Sequence, residues 1–174
     1  MNTPKVFREM VGTLAKSGET ILEEMNPHDF RLLTTGIFNG IQAGERVDDI
    51  KKQVIYQKDQ GINLPKFGEL PEGLTAEKMH LIHMAMGVFG EAAELLDAVF
   101  GHVEHNKPLD MHHVEEELGD VEFYMEGLRQ GLALDREDIL QSNIKKLGER
   151  YKGFVYSDEA AQKRADKLNL DQES

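Results

Sequence analysis

The amino-acid sequence predicts an all-α protein. Apolar residues recur at helical spacing along most of the 174-residue chain, and no stretch shows the clean alternation of apolar and polar residues that marks a half-buried strand. Side chains that favour helix starts, such as Thr75, Asp110 and Asp135, precede several of these segments. The length suits one domain with a sizeable core, so we expect a single all-α domain over residues 1–174.

Three helices are predicted before a central loop, over about residues 6–24, 29–40 and 45–60. Gly18 is a candidate break in the first helix, and Pro27 starts the second because proline is favoured at the first helical position. Residues 61–73 contain two prolines and three glycines, which is typical of a loop.

Four further helices are predicted after the loop, each opened by a side chain that accepts hydrogen bonds from free backbone N–H groups. The connection around residues 107–108 is short, which favours an antiparallel hairpin of the first two. The capping residues and approximate helix ends are Thr75 to 105, Asp110 to 130, Asp135 to 151, and Ser157 to 167.

The composition is that of an ordinary globular protein, with 40% apolar and 30% charged residues. Asp and Glu outnumber Lys and Arg by 32 to 20, which argues against a nucleic-acid partner because such proteins normally carry a basic face. A small triphosphate stays possible, since a divalent metal can bridge an acidic pocket to an acidic ligand. The absence of cysteine excludes disulfides, zinc–thiolate sites and thiol nucleophiles.

No targeting or membrane segment is expected. Residues 1–20 carry several charges and lack the apolar core of a signal peptide. The longest apolar stretch, residues 81–100, is interrupted by His83, Glu91, Glu94 and Asp97, and therefore predicts a buried helix of a soluble protein rather than a membrane span. We therefore expect a cytoplasmic protein without a membrane partner.

Two pairs of carboxylates lie on consecutive predicted helices. Glu91 and Glu94 have i,i+3 spacing and share one helix face, and Glu117 and Asp120 repeat this spacing. The helix of the first pair is apolar almost all round, and no Lys or Arg lies between residues 78 and 107 to neutralise it. A buried carboxylate requires a partner. In an antiparallel hairpin all four carboxylates can converge on one point.

Four converging carboxylates require cations. Two like charges about 6 Å apart repel by roughly 3 kcal/mol at an effective dielectric of 20. Hard oxygen ligands suit Mg²⁺ or Mn²⁺ rather than zinc, and more than one ion can fit. The alternative is a solvated acidic face, the commonest role of such charges; we assign Glu115 and Glu116 to it and leave Asp97 undecided.

Asn143, Lys146 and Arg150 form a local basic stripe at i, i+3 and i+7 on one predicted helix. Arginine can bind phosphate oxygens bidentately, while lysine acts as a point charge. Spacing alone favours an ordinary solvated amphipathic helix. Six histidines between residues 80 and 113 also include i,i+3 pairs, but no accompanying carboxylate pattern makes them a specific metal signal, and we expect His83 in the core.

Together these residues resemble the MazG-like, all-α NTP pyrophosphohydrolase family, including its short phage and bacterial forms. The resemblance covers residues 74–164 well and identifies them as a catalytic helical core. Residues 26–73 look like an inserted helical segment and loop, about which the resemblance says nothing. The matching segments are Gly90-Glu-Ala-Ala-Glu-Leu-Leu-Asp97, Glu116-Glu-Leu-Gly-Asp120 and Asn143-x-x-Lys146-Leu-x-x-Arg150-Tyr151.

The resemblance implies a helical bundle that hydrolyses (deoxy)nucleoside triphosphates to the monophosphate and pyrophosphate. It implies Mg²⁺, with Mn²⁺ as a substitute, and Glu94 or Glu117 as the carboxylate that assists proton removal. It further implies a homodimer or homotetramer. The implied metal ligands are Glu91, Glu94, Glu117 and Asp120, and the implied nucleotide contacts are Asn143, Lys146, Arg150 and Tyr151.

Gly90 departs from the family pattern, because many members carry a glutamate at this position. One acidic group fewer keeps open a different class of function, a non-catalytic helical binding or assembly protein. A ferritin-like di-metal protein is a third alternative. That fold requires a Glu-x-x-His motif from each of two helices, whereas the pairs here are Glu-x-x-Glu and Glu-x-x-Asp, which argues against iron.

Overall fold

A computed structural model describes residues 2–63 and 68–163. These residues form helices and connecting segments with no strand, which confirms the predicted all-α class. A 3-10 turn, Lys152–Phe154, follows the sixth helix. The α-helices are α1 Thr3–Leu14, α2 Gly18–Glu24, α3 Pro27–Val54, α4 Ala76–His105, α5 Met111–Gly131, α6 Arg136–Arg150 and α7 Asp158–Lys163.

The helices belong to two compact units. The first unit, Pro27–Ala133, contains α3, α4 and α5, and the second consists of the described residues on either side of it. The prediction that the chain is a single domain stays a prediction. No helix in the described part of the chain combines the length and the apolar character needed to cross a membrane.

The predicted helix starts after the central loop are confirmed. Thr75, Asp110, Asp135 and Ser157 each accept a first-turn backbone N–H at 2.7 to 3.3 Å. Each such cap contributes about 1 kcal/mol to helix stability. The ends of α4, α5 and α6 also agree with prediction, whereas the predicted continuation of the last helix from 164 to 167 lies outside the described residues.

The first predicted helix is divided in two. α1 ends at Leu14, and α2 begins at Gly18 because the Ser17 hydroxyl accepts the Thr20 N–H at 3.1 Å and caps a new helix. At the predicted break, Gly18 is therefore the first residue of a capped helix, and three residues separate it from the end of α1.

The prediction of separate helices over residues 29–40 and 45–60 is wrong, because α3 is continuous from Pro27 to Val54. Gly44 is a packing residue within this helix and not a helix end. A Cβ on Gly44 would lie 2.0 Å from the Ala93 Cβ of α4, whereas one on Gly40 would lie at an ordinary contact distance of 3.7 Å from Leu96. Glycine at position 44 lets the two helix backbones approach closely.

α4 is the central helix of its unit and packs on both α3 and α5. A Cβ on Gly87 would lie 2.1 Å from the Tyr124 ring, and one on Gly127 would lie 2.1 Å from the Met84 sulfur. Residue numbers therefore rise along α4 as they fall along α5, which is the predicted antiparallel hairpin. The buried positions of α3 are Ile41, Gly44, Asp48 and Lys51, one stripe at three- and four-residue spacing.

Candidate metal centre

The carboxylates of Glu91, Glu117 and Asp120 converge between α4 and α5. One oxygen from each lies within 4.8 Å of the other two. Glu91 and Glu117 are buried, whereas Asp120 is exposed, so solvent reaches the group from the Asp120 side. The antiparallel hairpin produces this arrangement, because it brings the middle of α4 against the first half of α5.

Glu117 is the least satisfied member of this group. Its Oε1 lies 3.3 Å from Nδ1 of His113, one turn earlier on α5, but its Oε2 is buried and has no hydrogen-bond partner among the described residues. Burial raises the pKa of Glu117, and the charge of Glu94 raises it further. A buried carboxylate oxygen without a partner, beside two other carboxylates, is suited to a hard divalent cation.

Glu91 is paired with a buried lysine of α3. The Lys51 ammonium donates a hydrogen bond to Glu91 Oε1 at 3.0 Å and lies 2.8 Å from Asp48 Oδ1. Burial by itself lowers the pKa of Lys51, but the hydrogen bonds to Asp48 and Glu91 outweigh burial and raise this pKa above its usual value. Lys51 is therefore a permanent cation among the carboxylates.

Asp48 occupies the space next to Gly90. The Cβ of Asp48 would lie 3.4 Å from a Cβ built on Gly90. Burial raises the pKa of Asp48, but its hydrogen bonds to Lys51 and Lys52 outweigh burial and lower the pKa below its usual value. An ionised carboxylate from α3 thus stands beside the position at which the sequence lacks an acidic residue.

Glu94 lies beside the group of three rather than within it. It is half-buried and lines a cleft of about 380 Å³ between α3 and α4, together with Asp97. Burial raises the pKa of Glu94, and the charges of Glu91 and Asp48 raise it further. The remaining residues around this cleft are Ile41, Glu45, Asp48, Asp49, Lys52, Ala93 and His113.

The predicted nucleotide contacts lie in the second unit, in α6 and directly after it. Asn143 and Arg150 are half-buried and Lys146 is exposed, so this stripe is accessible to solvent. Tyr151 is only 7% exposed, and its ring stacks on Tyr156 with 5.7 Å between centroids. Arg150 lies 5.9 Å from the Tyr151 ring. Tyr151 is therefore largely enclosed by the protein, beside Arg150, and its predicted contact with the nucleotide stays a prediction.

The sequence interpretation missed three polar neighbours of the carboxylates: Asp48, Lys51 and His113. For Asp48 and Lys51, an available signal was the stripe at positions 41, 44, 48 and 51, which marks one face of α3. For His113, the i,i+4 spacing to Glu117 was visible in the sequence. His83, expected in the core, is half-buried and lies 3.0 Å from the Tyr56 hydroxyl.

Comparison with known proteins gives one match. The family model described as the MazG nucleotide pyrophosphohydrolase domain matches residues 80–155. This range includes both carboxylate pairs and the stripe from Asn143 to Arg150, but it excludes α3 with Asp48 and Lys51. No curated protein and no solved structure matches the chain significantly.

Proposed function

Since residues 80–155 belong to the MazG nucleotide pyrophosphohydrolase family, we propose that the chain hydrolyses (deoxy)nucleoside triphosphates to the monophosphate and pyrophosphate. The observation that carries this proposal is the convergence of three carboxylates within 4.8 Å, with one buried oxygen of Glu117 left without a partner. A divalent cation and a triphosphate together satisfy such a group, whereas a solvated acidic face does not bury unpaired oxygens.

Glu91, Glu117 and Asp120 would hold Mg²⁺ or Mn²⁺, since all three offer hard oxygen ligands. The bound ion would polarise the α-phosphate and lower the pKa of the attacking water. The Lys51 hydrogen bond goes to Glu91 Oε1, so the other oxygen of Glu91 stays available to the ion. His113 lies against Glu117 Oε1 and limits the directions in which this carboxylate can turn.

Glu94 is our first choice for the carboxylate that accepts a proton from water, and Glu117 is the second. Glu94 lines the cleft next to the three carboxylates and accepts no hydrogen bond from Lys51. Burial raises its pKa, which brings this carboxylate closer to the pH at which a general base is most effective. Glu117 is less suited to accept a proton, because its buried oxygen has no hydrogen-bond partner and is therefore the better candidate to bind the metal ion.

The α6 stripe is proposed as the contact for phosphate and sugar. Lys146 and Arg150 would supply positive charge as negative charge develops on the departing pyrophosphate. Asn143 offers an amide that can hydrogen-bond the sugar. Tyr151 holds Arg150 from the protein side.

The deciding experiment is the release of pyrophosphate from a panel of ribo- and deoxyribonucleoside triphosphates with Mg²⁺, with Mn²⁺ and with EDTA. We expect metal-dependent release of pyrophosphate and no orthophosphate. Glu91→Gln and Asp120→Asn should abolish turnover while circular dichroism shows an intact fold, and Glu115→Gln, an exposed neighbour on α5, should retain turnover. Orthophosphate as the product, or full activity in either metal-site variant, would overturn the proposed reaction and metal ligands. If no triphosphate of the panel is hydrolysed, a non-catalytic binding protein is favoured instead.

We also propose a homodimer or homotetramer. Large apolar side chains are exposed on all three helices of the first unit, among them Phe38 at 55%, Phe89 at 45% and Phe123 at 65%. Exposed apolar surface of this extent is typical of association sites. Light scattering at micromolar concentration should give a multiple of 19.7 kDa, and a monomer mass would refute the proposal. A cytoplasmic location and the lack of nucleic-acid and membrane partners stay predictions.

A further inference from the structure

Lys51 lies where the carboxylate centre needs positive charge. Its side chain is 2% exposed, and its ammonium contacts Asp48 at 2.8 Å and Glu91 at 3.0 Å. These are two carboxylates from different helices, α3 and α4, and Glu91 is also one of the three carboxylates that converge on the candidate ion. Lys51 itself lies in α3, outside the residues that match the family.

A directed chain of hydrogen bonds holds the ammonium in place. Lys51 lies 3.3 Å from the Tyr124 hydroxyl and 4.8 Å from the centroid of the Tyr124 ring. An ammonium only donates, so the Tyr124 oxygen accepts and its proton is free to go to the Tyr56 hydroxyl at 2.9 Å. Tyr56 then donates to Nε2 of His83 at 3.0 Å. The ammonium thus has three acceptors, Asp48, Glu91 and Tyr124, and each tyrosine hydroxyl has one acceptor for its proton.

The neighbouring Lys52 shows that this arrangement is specific to position 51. Lys52 also pairs with Asp48, but its side chain is 38% exposed, and among the described residues it forms no ion pair or hydrogen bond with Glu91. Because Lys52 is partly exposed, water screens its charge more than that of Lys51, and its pairing contributes less to stability. Removing Lys51 instead deprives buried Glu91 of its ion pair and leaves Asp48 with Lys52 alone, which is strongly unfavourable.

We propose that Lys51 is an internal cation of the carboxylate centre, whose fixed charge takes the place of a metal ion while the centre is empty and opposes the binding of that ion. This inference rests on the proposed function only in requiring that the centre binds a divalent cation. Lys51 acts as a positioning residue, because it holds Glu91 and touches neither substrate nor water in the reaction.

The inference predicts opposite effects of one substitution in two states. Lys51→Met keeps most of the length and volume of the side chain but removes its charge. Without metal, Asp48 and Glu91 then repel each other and the other carboxylates, so the protein is less stable. With metal, the ion supplies the missing charge and no longer faces the ammonium, so it binds more tightly, by about tenfold.

The test is thermal unfolding of the full chain in EDTA and in a titration with Mn²⁺ and with Mg²⁺, without nucleotide. Lys51→Met should melt lower than wild type in EDTA and gain more from metal. Its metal midpoint, the concentration at which half of the folded protein carries the ion, should be about one tenth of the wild-type value. Lys52→Met, the matched control, should change both quantities much less than Lys51→Met does, because Lys52 is partly exposed and does not contact Glu91. An equal loss of stability with and without metal, at an unchanged metal midpoint, would show that Lys51 is only structural and would overturn the inference.

A second pair of variants covers the case in which Lys51→Met does not fold in EDTA. Asp48→Asn/Lys51→Met removes one charge of each sign, and its metal midpoint is compared with that of Asp48→Asn. A lower midpoint in the double variant supports the inference, and equal midpoints overturn it. Wild type that shows no thermal response to either metal also overturns it. A metal response as described, with no pyrophosphate released from any triphosphate, would refute the proposed function and leave the role of Lys51 intact.

Discussion

Replacing Glu117 by glutamine should stabilise the metal-free protein, although it removes a candidate ligand. The oxygens of Glu117, Glu91 and Asp120 lie within 4.8 Å of one another, and one like-charge pair at this distance repels by roughly 3 kcal/mol at an effective dielectric of 20. The ammonium of Lys51 beside Glu91 and the solvent around Asp120 reduce this repulsion. We therefore expect a gain of about 1 to 3 kcal/mol in the free energy of unfolding.

The gain should depend on pH in a defined direction. Burial raises the pKa of Glu117 in the folded protein above its value in the unfolded chain, so folding favours the protonated carboxyl. Protonated Glu117 contributes favourably to the free energy of unfolding. This contribution is complete below the ordinary pKa of glutamate and is lost as the pH rises through the raised pKa of the folded protein. Wild type therefore carries more of the penalty at pH 8 than at pH 5. The advantage of Glu117→Gln should accordingly be larger at pH 8.

The assay is urea unfolding in EDTA at pH 5 and pH 8, followed by circular dichroism. Glu115→Gln, an exposed glutamate on the same helix, should differ from wild type by no more than about 0.5 kcal/mol. In saturating Mg²⁺ the advantage of the variant should shrink, because an ion at 100 times its dissociation constant stabilises wild type by about 2.7 kcal/mol and the variant by less. If Glu117→Gln is less stable than wild type in EDTA at pH 8, the Glu117 carboxylate does not destabilise the metal-free protein, and the predicted repulsion among the three carboxylates is wrong.

Three further predictions concern packing, capping and substrate contact. Gly44→Ala should lower the free energy of unfolding by about 3 kcal/mol or more in denaturant unfolding, because its Cβ would lie 2.0 Å from that of Ala93. Gly36→Ala, whose Cβ would have nothing within 4 Å, should raise the free energy of unfolding by about 0.5 to 1 kcal/mol. Equal effects of the two substitutions would contradict the close approach of α3 and α4. Asp135→Ala should lose about 1 kcal/mol in the same assay through its α6 cap, and an unchanged stability would argue against that cap. Lys146→Ala should raise KM about tenfold in steady-state kinetics, and a KM at the wild-type value would remove it from the nucleotide contacts.

The parts of the fold that sequence predicted well are those decided by local interactions. A cap such as Thr75 or Asp110 binds backbone N–H groups two or three residues away, so its partner is known before the chain folds. The i,i+3 spacing of Glu117 and Asp120 likewise places both carboxylates on one helix face whatever the helix packs against. The short connection between α4 and α5 then made their antiparallel arrangement predictable.

Glycine shows where such local reasoning fails. Gly40 and Gly44 lower helix propensity, and the sequence alone therefore predicted a break between two helices. In the structure, packing against Ala93 and Leu96 outweighs that propensity, and the close approach of α3 and α4 at Gly44 requires a residue without a Cβ. Propensity is a matter of a few tenths of a kcal/mol to about 1 kcal/mol, which tertiary packing readily exceeds.

By itself, the sequence determined the helical class, most helix starts and the presence of two carboxylate pairs, since each depends on residues at most a few positions apart. Only the tertiary structure decided which of those carboxylates meet and what neutralises them. Lys51 lies 40 positions from Glu91 in the chain and reaches it because α3 packs along α4. A buried charge takes its partner from whatever helix is packed against it, and spacing within one helix carries no information about that neighbour.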